Sequence, residues 1–312
     1  MDQGSRKAIK AAFAANLGVA AGKFVGFLVT GASSLLAEAL HSLADTTNQG
    51  LLMLGARQAR RRPTTQHPFG YGRQRYFWSF VVALVLFSAG GLFAIHEGTE
   101  KLRHPHPLEQ PLWGVGILVL TLGLESFSLR TAAREANRVR RGRSWWTFIR
   151  QSKNPEITVV LLEDTGALVG ITFALTGIGL SMSSGDPRFD AMGSLAIGVL
   201  LVVIAAVLMI EMWGLLIGEA ADPEVEAVVR LALVADPAVV RVLNLRTEHL
   251  APDQLLVAAE IELAPDLGGR EVARIIDDAE ARIRDVAPIA RHIYLEPDLQ
   301  PPEGGREPPP RP

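Results

Sequence analysis

The chain of 312 residues contains no cysteine. Disulfide staples, thiolate-ligated zinc sites, iron–sulfur clusters and thiol nucleophiles are excluded with it, so any bound ion must be held by nitrogen and oxygen. Excess charge of either sign is missing too. The 31 Lys and Arg residues nearly cancel the 33 Asp and Glu, leaving a formal net charge of -2, which speaks against a nucleic-acid binder and against an acidic disordered chain. Arginine clusters do occur, but no aromatic residues interleave them as in a surface that stacks bases. The sequence also lacks a phosphate-cradling P-loop and a recognisable nucleophile–base pairing, which argues against an enzyme.

What the chain has in abundance is apolar sequence, 48% of its residues. It is gathered into runs of the length, about 20 residues, that a helix needs to cross a hydrocarbon core. Six such runs are read: Ala8 to Thr30, Ser34 to Gly55, Phe77 to Ile95, Leu112 to Leu129, Ile157 to Leu180 and Ala191 to Ile217. The first is too long and too interrupted by polar residues for a cleaved secretory signal, so it is expected to stay in the mature protein. Positive residues concentrate at the N-terminus (Arg6, Lys7, Lys10), in the second connection (Arg57, Arg60, Arg61, Arg62, Arg73, Arg75) and in the fourth (Arg130, Arg134, Arg138, Arg140, Arg141, Arg143, Arg150, Lys153). The positive-inside rule then places both termini in the cytoplasm, as an even number of spans requires. These arginines also suit anionic membrane lipid. The Ala- and Arg-rich composition and the want of a targeting presequence point to a bacterial inner membrane.

Beyond Gly218 the pattern becomes that of a soluble domain. Pro223 opens a helix through Val234, Val239 to Thr247 and Leu255 to Leu263 alternate apolar with polar residues, Arg270 to Val286 carries an apolar face, and Ile289 to Leu295 is a last strand. The fold class is therefore an α-helical membrane protein of six transmembrane helices followed by a cytoplasmic α+β domain of αββαβ, ferredoxin-like order. The divisions are 1–218 for the membrane domain, 219–298 for the cytoplasmic domain and 299–312 for a proline-rich tail expected to be disordered. Glycines at every fourth position, Gly18, Gly22 and Gly26 in the first span and Gly166 and Gly170 in the fifth, predict close helix packing there.

Ionisable residues at membrane depth cost several kcal/mol unless paired or hydrated, which makes each a functional candidate. In the second run Glu38, His41 and Asp45 fall at offsets of three and four, along one helix face that Asn48 continues. An imidazole and a carboxylate one turn apart can reach one ion, and they suit zinc, cobalt, nickel or manganese. An interhelical hydrogen-bond cluster would have the same residues. The fifth run adds the neighbours Glu163 and Asp164, which point about 100° apart and so face different partners. Asp164 is the first choice for a site shared with His41 and Asp45, and Glu163 a possible fourth ligand or supporting group.

The segment Leu35-Leu36-Ala37-Glu38-Ala39-Leu40-His41-Ser42-Leu43-Ala44-Asp45, the loop His67-Pro68-Phe69-Gly70-Tyr71-Gly72, the six-span plan and the terminal α+β domain together resemble the cation diffusion facilitators. Asp45-Thr46-Thr47-Asn48-Gln49-Gly50-Leu51-Leu52, Leu162-Glu163-Asp164-Thr165 and Arg291-His292-Ile293-Tyr294-Leu295-Glu296-Pro297 look like the divergent branch that includes animal zinc transporter nine. The resemblance covers almost the whole chain except the tail. It implies a homodimer that exports divalent metal, zinc foremost with manganese, cobalt or iron as alternatives, in exchange for protons. On it, His41 and Asp45 match the His-x-x-x-Asp motif of the second span and Asp164 the closing aspartate of the fifth. Val160 departs from the pattern, standing where most zinc-transporting members have a histidine or aspartate, so Glu163 or water is left to complete the site. The metal is cargo, and no resident cofactor is implied. A non-transporting metal-responsive scaffold or regulator is the alternative function. His67 alone remains of a loop metal site. His104 and His106 read as solvated loop residues, and Glu248, His249, Glu260, His292 and Glu296 as polar strand residues with a weaker claim to a regulatory metal site.

Overall fold

The computed structural model describes residues 3–298 apart from residue 141, with side chains from Asn16 onward. The tail expected from residue 299 and the basic side chains Arg6, Lys7 and Lys10 lie outside the described residues. Two compact units divide between Gly214 and Leu215.

The first unit is all helix. It comprises α1 (Gln3–Thr30), α2 (Ser33–Ala59), α3 (Gln74–Val85), which runs through a π-helical segment (Leu86–Leu92) into α4 (Phe93–Arg103), α5 (Pro111–Val139), the short α6 (Trp145–Gln151), α7 (Pro155–Ser184) and α8 (Arg188–Ile217), whose last three residues fall past the division. Among the described residues four helices are long and apolar enough to cross a membrane: the continuous α3–α4 helix, α5, α7 and α8. The other two of the six expected spans are helical without meeting that measure. In α1 the apolar stretch with described side chains is the shorter Asn16–Thr30, and α2 carries Glu38, His41, Asp45, Asn48 and Arg57. Position explains why α2 tolerates such polarity. It packs against α1, α3, the π segment, α4 and α7 and buries Ser33, Ser34, Glu38, His41, Ser42, Thr46 and Asn48, so its neighbours are protein groups rather than lipid. By contrast α5 buries only Gly114, Leu118, Thr121 and Ala136.

Glycine permits the closest helix approaches, since lipid supplies no hydrophobic drive and backbones gain most by touching. An added Cβ at Gly98 would meet the Ala191 carbonyl of α8 at 2.9 Å, and one at Gly177 the Phe189 carbonyl at 2.9 Å. In the fifth run Gly166 abuts Ile204 of α8, while a Cβ at Gly170 would fall on the Glu38 carboxylate of α2. The stripe expected on α1 is corrected: Gly26 lies against Ile117 and Leu35, but Gly18 and Gly22 have no described atom within 4 Å of an added Cβ. Spacing alone does not reveal which face of a helix meets a neighbour.

Ion pairs tie helix ends together. Arg75 clasps Glu156 with Nε–Oε1 at 2.6 Å and a second bond of 2.8 Å, joining the starts of α3 and α7. Lys101 Nζ lies 2.9 Å from Asp190 Oδ2 and 2.6 Å from the Gly31 carbonyl. Asp190 also accepts from the Ser33 amide at 2.8 Å and from the Ser33 and Ser34 hydroxyls. The residue preceding α2, Ala32, has no capping side chain. Asp190 therefore caps α2 from another helix, placing a carboxylate at its positive end.

The second unit holds α9 (Pro223–Leu233), β1 (Val239–Ala251), β2 (Gln254–Leu263), α10 (Gly269–Val286) and β3 (Ala290–Asp298). The expected αββαβ order is present. Strand order is β1-β2-β3, with β1 and β2 antiparallel and β2 and β3 parallel. Alternate residues of β2, Leu255, Val257, Ala259, Ile261 and Leu263, are buried in one core with Val229 and Leu233 of α9 and Ile275, Ala279 and Ile283 of α10.

Because Lys101 and Asp190 are both buried, removing one member leaves the other charge uncompensated. Asp190→Ala is expected to cost about 3–5 kcal/mol, and Lys101→Met on the same background should restore part of it while α2 remains uncapped. Unfolding of the detergent-solubilised protein measures both. Equal stabilities for wild type and Asp190→Ala would show that the pair holds nothing.

Candidate functional site

The offsets of three and four on α2 stack Glu38, His41, Asp45 and Asn48 along one side of the helix. His41 is fully buried, and Asp45 is 16% exposed with its Oδ1 3.6 Å from His41 Nδ1. That separation is too long for a hydrogen bond. Both ring nitrogens of His41, Asp45 Oδ1, Glu38 Oε1 and Asn48 Oδ1 are buried without a hydrogen-bond partner. Native proteins rarely leave such groups unpaired, which makes the cluster a candidate place for a ligand.

Two helices supply what faces the stripe. From α7, Glu163 is buried and accepts a 2.6 Å hydrogen bond from Asn48 Nδ2. Asp164 is half-buried and turns toward α5, where Ser128 Oγ donates to its Oδ2 at 2.9 Å. The two neighbouring acids thus diverge, one to α2 and one to α5. Glu163 and Asp164 both lie within electrostatic range of Asp45. Val160 is half-buried. Among the described residues no three His, Asp or Glu side chains already stand in the array that would hold a metal ion.

Two further charges join the site. Lys23 of α1 is fully buried and donates to Glu38 Oε2 at 2.9 Å and to Ser42 Oγ at 2.8 Å. Glu125 of α5 lies in electrostatic range of Glu38, Asp45 and Asp164. Their sequence signal is weaker than that of α2. Neither has an acidic or imidazole neighbour three or four residues away to draw a stripe, and only the presence of a charge inside an apolar run marks them.

Other histidines sit apart. His67 is exposed, its ring 4.6 Å from that of Tyr71. His104 lies 3.6 Å from Glu100 in an exposed turn, and His106 is exposed. On the sheet, Glu248 and His292 flank Leu256 on opposite sides, and Glu260 lies beside Glu296. His249, expected on a solvated face, is instead buried, with Nδ1 3.3 Å from the Ala251 carbonyl. Its ring is a small interior group, and no described cluster of metal-binding type forms there.

A cation efflux transmembrane domain matches residues 9–217, two thirds of the chain, and the cytoplasmic domain of cation efflux proteins matches residues 221–298. The chain belongs to the cation efflux family. This is a family of transporters rather than enzymes, with membrane helices followed by a cytoplasmic domain, and the protein is accordingly a multi-pass membrane protein. The human protein named proton-coupled zinc antiporter SLC30A9, mitochondrial, is 35% identical over 254 residues, 81% of this chain and 44% of that relative. Metal tolerance protein C4 of Arabidopsis thaliana is 28% identical over 263 residues, 84% of this chain and 58% of that one. Zinc transporter ZitB of Pectobacterium atrosepticum is 31% identical over 121 residues, 39% of this chain and 36% of that one. The chain spans about half the length of the first of these curated relatives. A mitochondrial name lends no support to a bacterial inner membrane.

Glu163 and Asp164 are separable by mutation. If the Asn48 contact places Glu163 in the path of the ion, Glu163→Gln should weaken zinc binding to the solubilised protein by about tenfold or more, the range for a lost ligand or its supporting partner. Equilibrium dialysis against zinc measures this beside Asp164→Asn. Wild-type affinity in Glu163→Gln with loss in Asp164→Asn would give the role to Asp164.

Proposed function

We propose that this cation efflux protein is a secondary transporter that carries divalent transition metal, zinc foremost, out of the cytoplasm in exchange for protons. Its carrying observation is the fully buried His41, both ring nitrogens unpartnered, one turn from the unpartnered Asp45 Oδ1 on a helix packed against α7. Nitrogen and carboxylate oxygen in that pairing suit zinc, and neighbouring carboxylates balance a divalent charge where water is scarce. The names of the relatives support the same cargo. In this reading His41 and Asp45 hold the ion from α2, Asp164 and Glu163 approach it from α7, and α1 and α2 complete six spans with both termini cytoplasmic.

Proton exchange follows from the ligand chemistry. Metal requires a neutral imidazole and ionised carboxylates, so protons compete for the same atoms and their binding expels the ion. The protein is a homodimer in this reading, held in part by the unit after α8.

Purified protein in sealed vesicles under a pH gradient should accumulate zinc without any other protein. Asp45→Ala should lower the flux by about two orders of magnitude while the protein remains folded. Wild-type protein that moves no divalent ion would instead favour a metal-responsive scaffold. Deleting residues from Asp222 onward should weaken dimer cross-linking more than zinc binding to the membrane unit; unchanged cross-linking would assign the dimer contact to the helices.

A further inference from the structure

The Lys23–Glu38 pair is not explained by a single ion at His41 and Asp45. A structural ion pair at this depth is costly, and two apolar residues would do its packing as well or better. Lys23 is nevertheless fully buried, and its described hydrogen bonds run only to Glu38 Oε2 and Ser42 Oγ. The second carboxylate oxygen, Glu38 Oε1, is buried with no hydrogen-bond partner. It lies against the backbone of Gly170, where a Cβ would collide with it. Any larger residue on α7 would close that space, so the fold keeps room for an unsatisfied anionic oxygen between α2 and α7.

We propose that Glu38 and Ser42 form a second cation station on the transport path, occupied by the Lys23 ammonium as a tethered stand-in until a divalent ion displaces it. The inference rests on the transport reading above. Glu38 precedes His41 by three residues, about 4.5 Å along the helix axis and on the same side. An ion leaving His41 and Asp45 toward the start of α2 therefore meets Glu38 next. Carboxylate and hydroxyl oxygens bind divalent metal less tightly than imidazole does, as a station for release requires. Lys23 has somewhere to go. Glu125 of α5 lies within its electrostatic range, and four methylenes give the ammonium a flexible stem. When the ion moves on, the ammonium returns and neutralises Glu38, so the path is never left with an uncompensated carboxylate and the ion does not readily step back.

The test uses full-length protein in sealed vesicles, with zinc flux driven by a pH gradient. Lys23→Met combined with Glu38→Gln removes both charges, so neither is stranded. Maximal flux should fall roughly tenfold or more while the half-saturating zinc concentration stays within about threefold of wild type, the signature of a lost step after binding. Wild-type flux in the double variant would make the pair purely structural and overturn the station. Should the double variant not fold, Glu38→Asp decides, because it keeps the charge balance and withdraws the oxygens by one methylene. Slowed flux at unchanged half-saturation supports the station, and wild-type flux overturns it. A wild-type protein without zinc flux would defeat the transport reading, and the station with it, whereas flux that the variants leave intact defeats the station alone.

Discussion

A charge taken out of water into a helical bundle must find a counter-charge, a full set of hydrogen bonds or a ligand, and the membrane unit is organised by how it meets that demand. At helix ends the demand is met within the protein. Arg75 and Glu156 form a two-bond clasp, and Asp190 is saturated by Lys101, Ser33 and Ser34. Along the middle of α2 it is left open at His41, at Asp45 Oδ1 and at Glu38 Oε1. Saturated groups hold helices, and in the transport proposal the open ones are those that hold cargo. The difference between the two sets locates the site more firmly than the bare presence of ionisable residues.

Packing protects that difference. Gly98, Gly177 and their contacts on α8 let backbones approach to a distance that side chains would forbid. Gly170 serves another purpose, making room for a carboxylate. Where α3 passes into α4, the π-helical turn Leu86–Leu92 carries Gly90 and Gly91, and a Cβ on Gly91 would strike Val202 of α8. Irregular turns of this kind recur where a helix must adjust without breaking.

In the second unit the same logic runs with water in place of lipid. Apolar residues on alternate positions of β2 face α9 and α10, while Glu248, Glu260, His292 and Glu296 lie at register positions on the opposite side. Arg282 of α10 donates to the Ala232 carbonyl at the end of α9 at 3.0 Å, securing the two helices to each other.

Periodicity and length were enough to expect membrane helices, the polar stripe from Glu38 to Asn48 and the αββαβ order, because each is a local property: a run long enough for a bilayer, a spacing of three and four, an alternation of two. Rotation about a helix axis is not local. Glu163 and Asp164 are adjacent acids in one apolar run, and only the seating of α7, with Gly166 on α8 and Gly170 on α2, turns Glu163 to Asn48 and Asp164 to Ser128. The same holds for Lys23, whose partner lies 15 residues away on another helix, and for Glu125, whose charged neighbours Lys23, Glu38, Asp45 and Asp164 lie on other helices. A single residue carries no pattern to read, and its role was decided by which helices the tertiary structure set beside it.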